Sequence, residues 1–526
     1  MKIPVCLDRL ATRTLNCLSA LACAGALLAP GAVQAQDSAH DGTGEHQPHL
    51  FAAGDFGIDA DGVTFNKDIA PILDRSCVHC HRANGAGPMS LTSYQEARRY
   101  AQRIKDRTAI RDRMGAMPPW YVEKDMGIQH YLQDPSLTDQ ELALIQAWVD
   151  NGAPEGRPGD LTVELDKEVV EGWRIEPDLI VRSSPITVEG GAPDWWGEIE
   201  PVVIPLEQDR YVKSLEIREV NDVPTEGTGR HTVGGRWIFH HLIYRTEDEE
   251  GETTGWPVHE VGRNPDLFSE GSGRLLRAGS MIMSESVHLH STGITTTGHL
   301  EFGFEFFPEG YEPEFPPAQV ALGDGLNISI VPNQNGQQLH GYEVLEQHTK
   351  FVSFEPHLHA PGERMCLEAI WQQQIETLSC VGYDHNWVRT YSFAPNYEPL
   401  LPKGTIVHIV GYMNNTETNF NIPDTRNWKG SGNRSVANMF IDLGIQVSMT
   451  DEQFVREMRE RVELFGLDKN DHVLGCPLCM ADLPLLPVAE DSEADGDTEA
   501  EAPASPDASG AASAAGAADA PPGDSR

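Results

Sequence analysis

Residues whose types and spacing can do chemistry fall in two places along this chain of 526 residues. The first is Cys77-Val78-His79-Cys80-His81, inside DRSCVHCHRANGAGPMSL. A CxxCH run is the attachment signal of haem c: the two thiols add to the porphyrin vinyls, and His81 becomes an axial iron ligand. The second place is a set of paired histidines far downstream. They are His240-His241 in WIFHHLIYR, His288 and His290 in VHLHSTG, and His357 and His359 in FEPHLHAPGERM.

Side chains two apart on a strand share a face, so His357 and His359 can close on one metal ion without distorting the backbone, and so can His288 and His290. His240 and His241 point to opposite faces of a regular strand, and reach one ion only if the strand bulges or if one uses Nδ1 and the other Nε2. Three such pairs in one β-rich chain point to metal binding. The donors are imidazoles with thioethers nearby (Met413 in VGYMNNT, Met439 in RSVANMFIDLG) and no obvious carboxylate, a set that suits copper visiting the Cu(I) state. The scattered histidines His231, His259, His299, His348, His385 and His408 carry no assigned role.

The elements that position these groups differ along the chain. Residues 62–155 have the rhythm of a small all-α cytochrome c domain, with TFNKDIAPILDRSC leading into the haem motif, LTSYQEARRYAQRIKDRTAIRDRM as one long amphipathic run, and SLTDQELALIQAWVDNGAP as a capped last helix. Its second axial ligand is expected from Met117 in AMPPWY, where two prolines hold the following backbone, with Met89 and Met114 as packing residues. A polar linker over 156–175 follows. From there short period-two runs broken by Gly, Pro and Asn predict two antiparallel β-sandwich (jelly-roll-like) domains, 176–335 and 336–470, with a seam near VPNQNGQQLHG.

The opening residues 1–35, basic then apolar and closing on Val33-Gln34-Ala35, read as a signal peptide; the lipoprotein alternative at Cys23 lacks the usual Leu three residues earlier. No other window is long and apolar enough to span a bilayer, so a periplasmic or secreted protein is expected. Cys366 and Cys380 bracket a strand-turn-strand run and predict a cross-strand disulfide. Cys476 and Cys479 form CPLC, a local disulfide or reduced pair, with a redox or copper-handling role as the rival reading. Net charge is -41 from 80 acidic and 39 basic residues, much of the excess lying in linkers and in a low-complexity tail that follows the CPLC segment (471–526), which argues against nucleic-acid or anionic-membrane partners.

Taken in order, HH, then xHxHS/TxG, then PHxHxxGxxM, then a late strand Met, the motifs resemble the copper type II, ascorbate-dependent monooxygenases, the family of the peptidylglycine α-hydroxylating and dopamine β-hydroxylating enzymes. AGPMSLTSYQEARR, AMPPW, YDHNWVRTYSFAPNYEPLLPKGT and NNTETNFNIPD resemble its bacterial branch, which often carries an N-terminal cytochrome c domain. The resemblance spans roughly residues 62–450. It implies two coppers: an electron-transfer site of His240, His241 and His290, and an oxygen-binding, catalytic site of His357, His359 and Met439, with His288 at most beside the first site. It further implies O2 and a small-molecule substrate hydroxylated at C–H, with electrons from the haem or from an external donor such as ascorbate or a redox carrier.

The peptide-amidating members carry an Arg two residues before HxH, and Asn and Tyr two and four residues after the ligand Met. Here those positions hold Glu355, Ile441 and Leu443, which would not welcome a buried substrate carboxylate. Ser291 stands where a tyrosine is usual. The rival expectation is a non-catalytic haem-copper electron-transfer or copper-binding protein on the same scaffold.

Overall fold

The computed structural model describes residues 48–82, 87–165, 173–223, 236–318, 320, 322–324, 327–432, 437–468 and 471–479. The expected signal peptide, His231 and the acidic tail from 480 onward lie outside the described residues.

Two β bodies dominate. The first pairs two six-stranded antiparallel sheets. One is built around Arg210–Asn221 and Thr296–Phe306, the other around Phe239–Glu247 and Met281–Leu289. Alternation decides which faces meet: along Phe239–Glu247, residues Leu242, Tyr244 and Thr246 are buried while their neighbours are half-buried. Those faces close on Val212, Leu215, Phe302 and Phe304 from the other sheet.

The second body rests on a four-stranded sheet ordered Gln337–Val344, Ile406–Met413, Gly362–Trp371, Gln374–Gly382. Smaller sheets cover it, among them Phe440–Asp442 running between Gly323–Asp324 and Pro356–Leu358. Phe351, Phe354, Leu358, Met365, Leu367, Val381, Met413 and Phe440 fill its core. A closing helix, Asp451–Phe465, starts in a capping box of Thr450 and Gln453 and stops at Gly466 with φ 63°, the left-handed turn that glycine permits.

The expectation of a separate all-α cytochrome c domain is not met. The fold is mostly sheet, and the segment before the first β body holds four α-helices, Ala70–Ser76, Tyr94–Arg99, Ala101–Thr108 and Asp139–Asp150, joined by long irregular stretches. The long amphipathic run LTSYQEARRYAQRIKDRTAIRDRM breaks at Tyr100, which caps one helix and opens the next. Phe65, Ile69, Leu73, Leu142 and Trp148 form a local core. The chain then leaves that core: Trp120, Val122, Ile128 and Tyr131 are buried in the second β body, where Glu123 N donates to Cys380 O (2.9 Å) and Ile128 N to Leu378 O (2.8 Å). What local periodicity did not convey is that these apolar residues serve a sheet elsewhere in the chain.

Cys366 and Cys380 face each other across Gly362–Trp371 and Gln374–Gly382 and are joined. Cys476 and Cys479 are joined as well, within the small core under the last helix. The first bond spans 14 residues. Replacing both partners with Ala is expected to lower unfolding free energy by about 3 kcal/mol, read from urea denaturation. A loss below about 1 kcal/mol would show that the hairpin does not depend on the cross-link.

Candidate metal centre

The two β bodies meet along a seam made by the loop after His259–Glu260 and the loop after Gln374–Gly382. Val388 N donates to Val261 O (3.1 Å), Thr390 N to Asn264 Oδ1 (2.9 Å) and Asn264 Nδ2 to Thr390 O (2.8 Å). Gly262, at φ +82°, has the Trp387 ring where a Cβ would stand, so this close approach requires glycine. Arg263 is buried here and forks between Glu355 and Asp266, and Glu355 Oε2 also accepts from Thr390 Oγ1 (3.0 Å). Glu355, at the position where amidating relatives carry Arg, is therefore already neutralised by a cation of the chain itself.

The paired histidines gather on this seam. A register shift opposite His288 and Leu289 leaves His240 as an extra, bulged residue in its strand, while His241 pairs across from His288. His240 stands 4.7 Å from His290 and 5.0 Å from His288, ring centre to ring centre, and His288 and His290 stand 5.1 Å apart. His241 belongs elsewhere: its Nδ1 lies 3.2 Å from Glu260 Oε1, and the same oxygen lies 3.0 Å from His357 Nδ1. His357 and His359 are 5.3 Å apart. Ring contacts link His240 with His288 and His290, and link His241 with His357 at 6.3 Å.

Asp194 approaches His290 Nδ1 (3.4 Å) and His288 Nε2 (3.3 Å), and the potential ligand atoms of Asp194, His288 and His290 all lie within 4.8 Å of one another. Trp196 stacks on the His288 ring at 3.9 Å. Met439 is half-buried. Pro356–Leu358 pairs with Phe440–Asp442 so that His357 faces Ile441 and Leu358 faces Phe440; His359 and Met439 each lie one residue beyond the paired strands. Met413 is fully buried in the second core, where it packs as a hydrophobe.

Two features fit these residues to a metal. The Nε2 atoms of His240 and His290 and the Nδ1 of His359 are buried without a hydrogen-bond partner, a condition that folded proteins seldom tolerate for polar atoms. The rings are also held neutral: burial pushes His240 and His359 well below the ordinary histidine range and His288 down to about 4. A neutral imidazole offers its lone pair with no proton to displace. Burial alone would raise Glu260, but His357 and His241 beside it hold it well below the usual carboxylate range. Two of the histidines given no role are paired with carboxylates: His348 meets Asp451 at 3.2 Å, and His408 meets Glu368 at 2.9 Å.

The CxxCH segment lies close to the same seam. Cys77 and Cys80 are not bonded to each other, unlike the CPLC pair. Burial, then the neighbouring Cys80, pushes the Cys77 thiol up to about 12. His81 is buried with Nδ1 3.1 Å from Met89 O, a contact that fixes the ring. Arg174 and Arg389, one from each β body, stand close enough to His79 to lower its pKa further, to about 4, after burial. From Val388, next to Arg389, backbone bonds run through Val261 to His240 O (Val261 N, 3.0 Å). Met117 is at the surface, 38% exposed, while Met89 packs on the helical core and Met114 Sδ accepts from Asn421 Nδ2 at 3.1 Å.

No family model matches the chain, and no curated protein matches it. Among solved structures, a human norovirus virus-like particle is similar at 8% identity over 45% of this chain and 67% of its own, with a TM-score of 0.14. An oxalate decarboxylase from B. subtilis is similar at 9% identity over 56% of this chain and 88% of its own, with a TM-score of 0.12. Neither likeness carries an argument about fold or function.

Proposed function

We propose that this chain is an exported haem- and copper-dependent monooxygenase that hydroxylates a C–H bond of a small substrate with O2. The observation that carries the reading is the gathering of histidine pairs from both β bodies on one seam, with neutral rings and unpartnered nitrogens. Copper held there supplies one-electron redox chemistry and O2 activation. His240, His288 and His290, with Asp194 orienting His290 through Nδ1, make one nest; His357 and His359, with Met439 next to the strand that pairs with theirs, make the other. Glu260 accepts between His241 and His357 and so fixes the His357 ring relative to the first body. Among the described residues, no helix is long and apolar enough to cross a membrane.

Cys77, Cys80 and His81 would hold haem c, which would relay electrons from an external donor to the seam. Replacing His81 with Ala should leave the haem covalently attached through the cysteines and change its reduced visible spectrum. An unaltered spectrum contradicts His81 as axial ligand.

The burial of His240, His288, His290, His357 and His359 favours a second reading, a non-catalytic copper and electron carrier, because a substrate has little access to rings so enclosed. Oxygen uptake separates the two. The monooxygenase consumes O2 only when reductant and an oxidisable substrate are both present; a carrier cycles between redox states with no substrate-dependent uptake.

A further inference from the structure

His385 has no role in the ligand sets above, yet it occupies the space between them. It sits in YDHNW on the second body, buried, with both Nδ1 and Nε2 lacking a hydrogen-bond partner. Its ring centre is 5.3 Å from that of His240 on one side and 5.9 Å from that of His359 on the other. A buried imidazole with one orphaned nitrogen is uncommon; two orphaned nitrogens leave it with neither donor nor acceptor satisfied.

The ring spacings test what could satisfy it. A metal–nitrogen bond of about 2.0–2.1 Å sets an ion about 3.2 Å from each ring centre, so two rings sharing one ion at about 90–120° stand about 4.5–5.5 Å apart. His240, His288 and His290 meet that range pairwise, as do His357 with His359 and His240 with His385. The His359–His385 spacing exceeds it slightly, within reach of a wider angle.

The loop around His385 is fixed before any ion arrives. Tyr383 Oη donates to Leu358 O, Asn386 N donates to Asp384 Oδ1 (3.0 Å), and Asn386 Nδ2 donates to Asn421 Oδ1 (2.9 Å). Trp387 is held against Gly262 of the first body. The ring is therefore positioned by its neighbours on both sides of the seam.

We propose that His385 is a metal ligand common to both histidine groups, each of its ring nitrogens taking one copper ion so that the imidazole bridges the two centres. The proposal rests on the copper reading above. Binding the second ion exchanges the ring N–H bond for an N–metal bond and releases that proton to solvent, with no change in oxidation state. The consequence is a pair of coppers coupled through one side chain, where the family resemblance implies two independent ones.

The full-length haem-loaded protein, titrated with Cu(II), tests this by copper analysis and low-temperature electron paramagnetic resonance. The expected result is two coppers per chain with copper spin intensity far below two, because a bridging imidazolate couples the spins antiferromagnetically. His385→Ala should restore an uncoupled signal from whatever copper it retains, and added imidazole should quench it again. Two coppers with two full spins in the unaltered protein overturn the bridge and leave the copper reading intact, as does a single bound copper. No bound copper overturns both. The spin count of the unaltered protein decides the matter even if the variant does not fold.

Discussion

As the pH falls from about 7.5 to about 5, the metal-free protein is expected to lose several kcal/mol of unfolding free energy. Burial holds His288 and His385 down to about 4, His259 to about 3, and His240 and His359 well below the ordinary histidine range. The unfolded chain takes up these protons near pH 6.5, the folded chain only much lower. Stability from these rings is therefore complete above the unfolded value and falls as pH drops towards the folded one. Each ring contributes about 1.4 kcal/mol per pH unit in that window. Glu219 and Asp442, both pushed up to about 7 by burial, act in the opposite sense, their contribution being greatest at low pH and lost as pH rises through about 7. The histidines outnumber them, so acid lability wins. Urea titrations of apo protein at several pH values measure this directly. A midpoint that does not move between about pH 7.5 and pH 5 would contradict a neutral buried histidine cluster.

Replacing Arg263 with Ala is expected to cost about 3–5 kcal/mol, because it strands two buried carboxylates, Glu355 and Asp266, on the seam. The same cut unties the loop that carries His259 and Glu260 from the second body, so the His241–Glu260–His357 contact should loosen with it. Removing both Arg263 and Glu355 in favour of apolar residues should cost less than the sum of the single changes, since the charges disappear together. A double-mutant cycle by denaturation reads this coupling. A single-variant loss below about 1 kcal/mol would show that the seam does not depend on the ion pair.

The chemistry-bearing spacings were legible because they are local. HxH sets two rings on one face of a strand, CxxCH fixes its own geometry, and the disulfide between Cys366 and Cys380 follows from a hairpin whose two strands carry one cysteine each. What escaped the sequence depends on contacts made across the chain. The bulge at His240 is a mismatch against Met281–Leu289, which no reading of WIFHHLIYR alone contains. Glu260 and Asp194 reach the histidines from other segments, and His385 reaches them from a loop whose apolar and polar neighbours show no ligand spacing. The all-α expectation failed for a related reason. Trp120, Val122, Ile128 and Tyr131 could have served a helical core, but Glu123 N and Ile128 N donate instead to the sheet edge at Cys380 and Leu378.

The central claim is that one chain holds haem beside a copper-binding seam. Metal analysis of periplasmically expressed, dialysed protein, together with its visible spectrum, tests that claim most directly. The account predicts one covalent haem and two coppers per chain. Haem without copper, or a chain that retains neither, would contradict it.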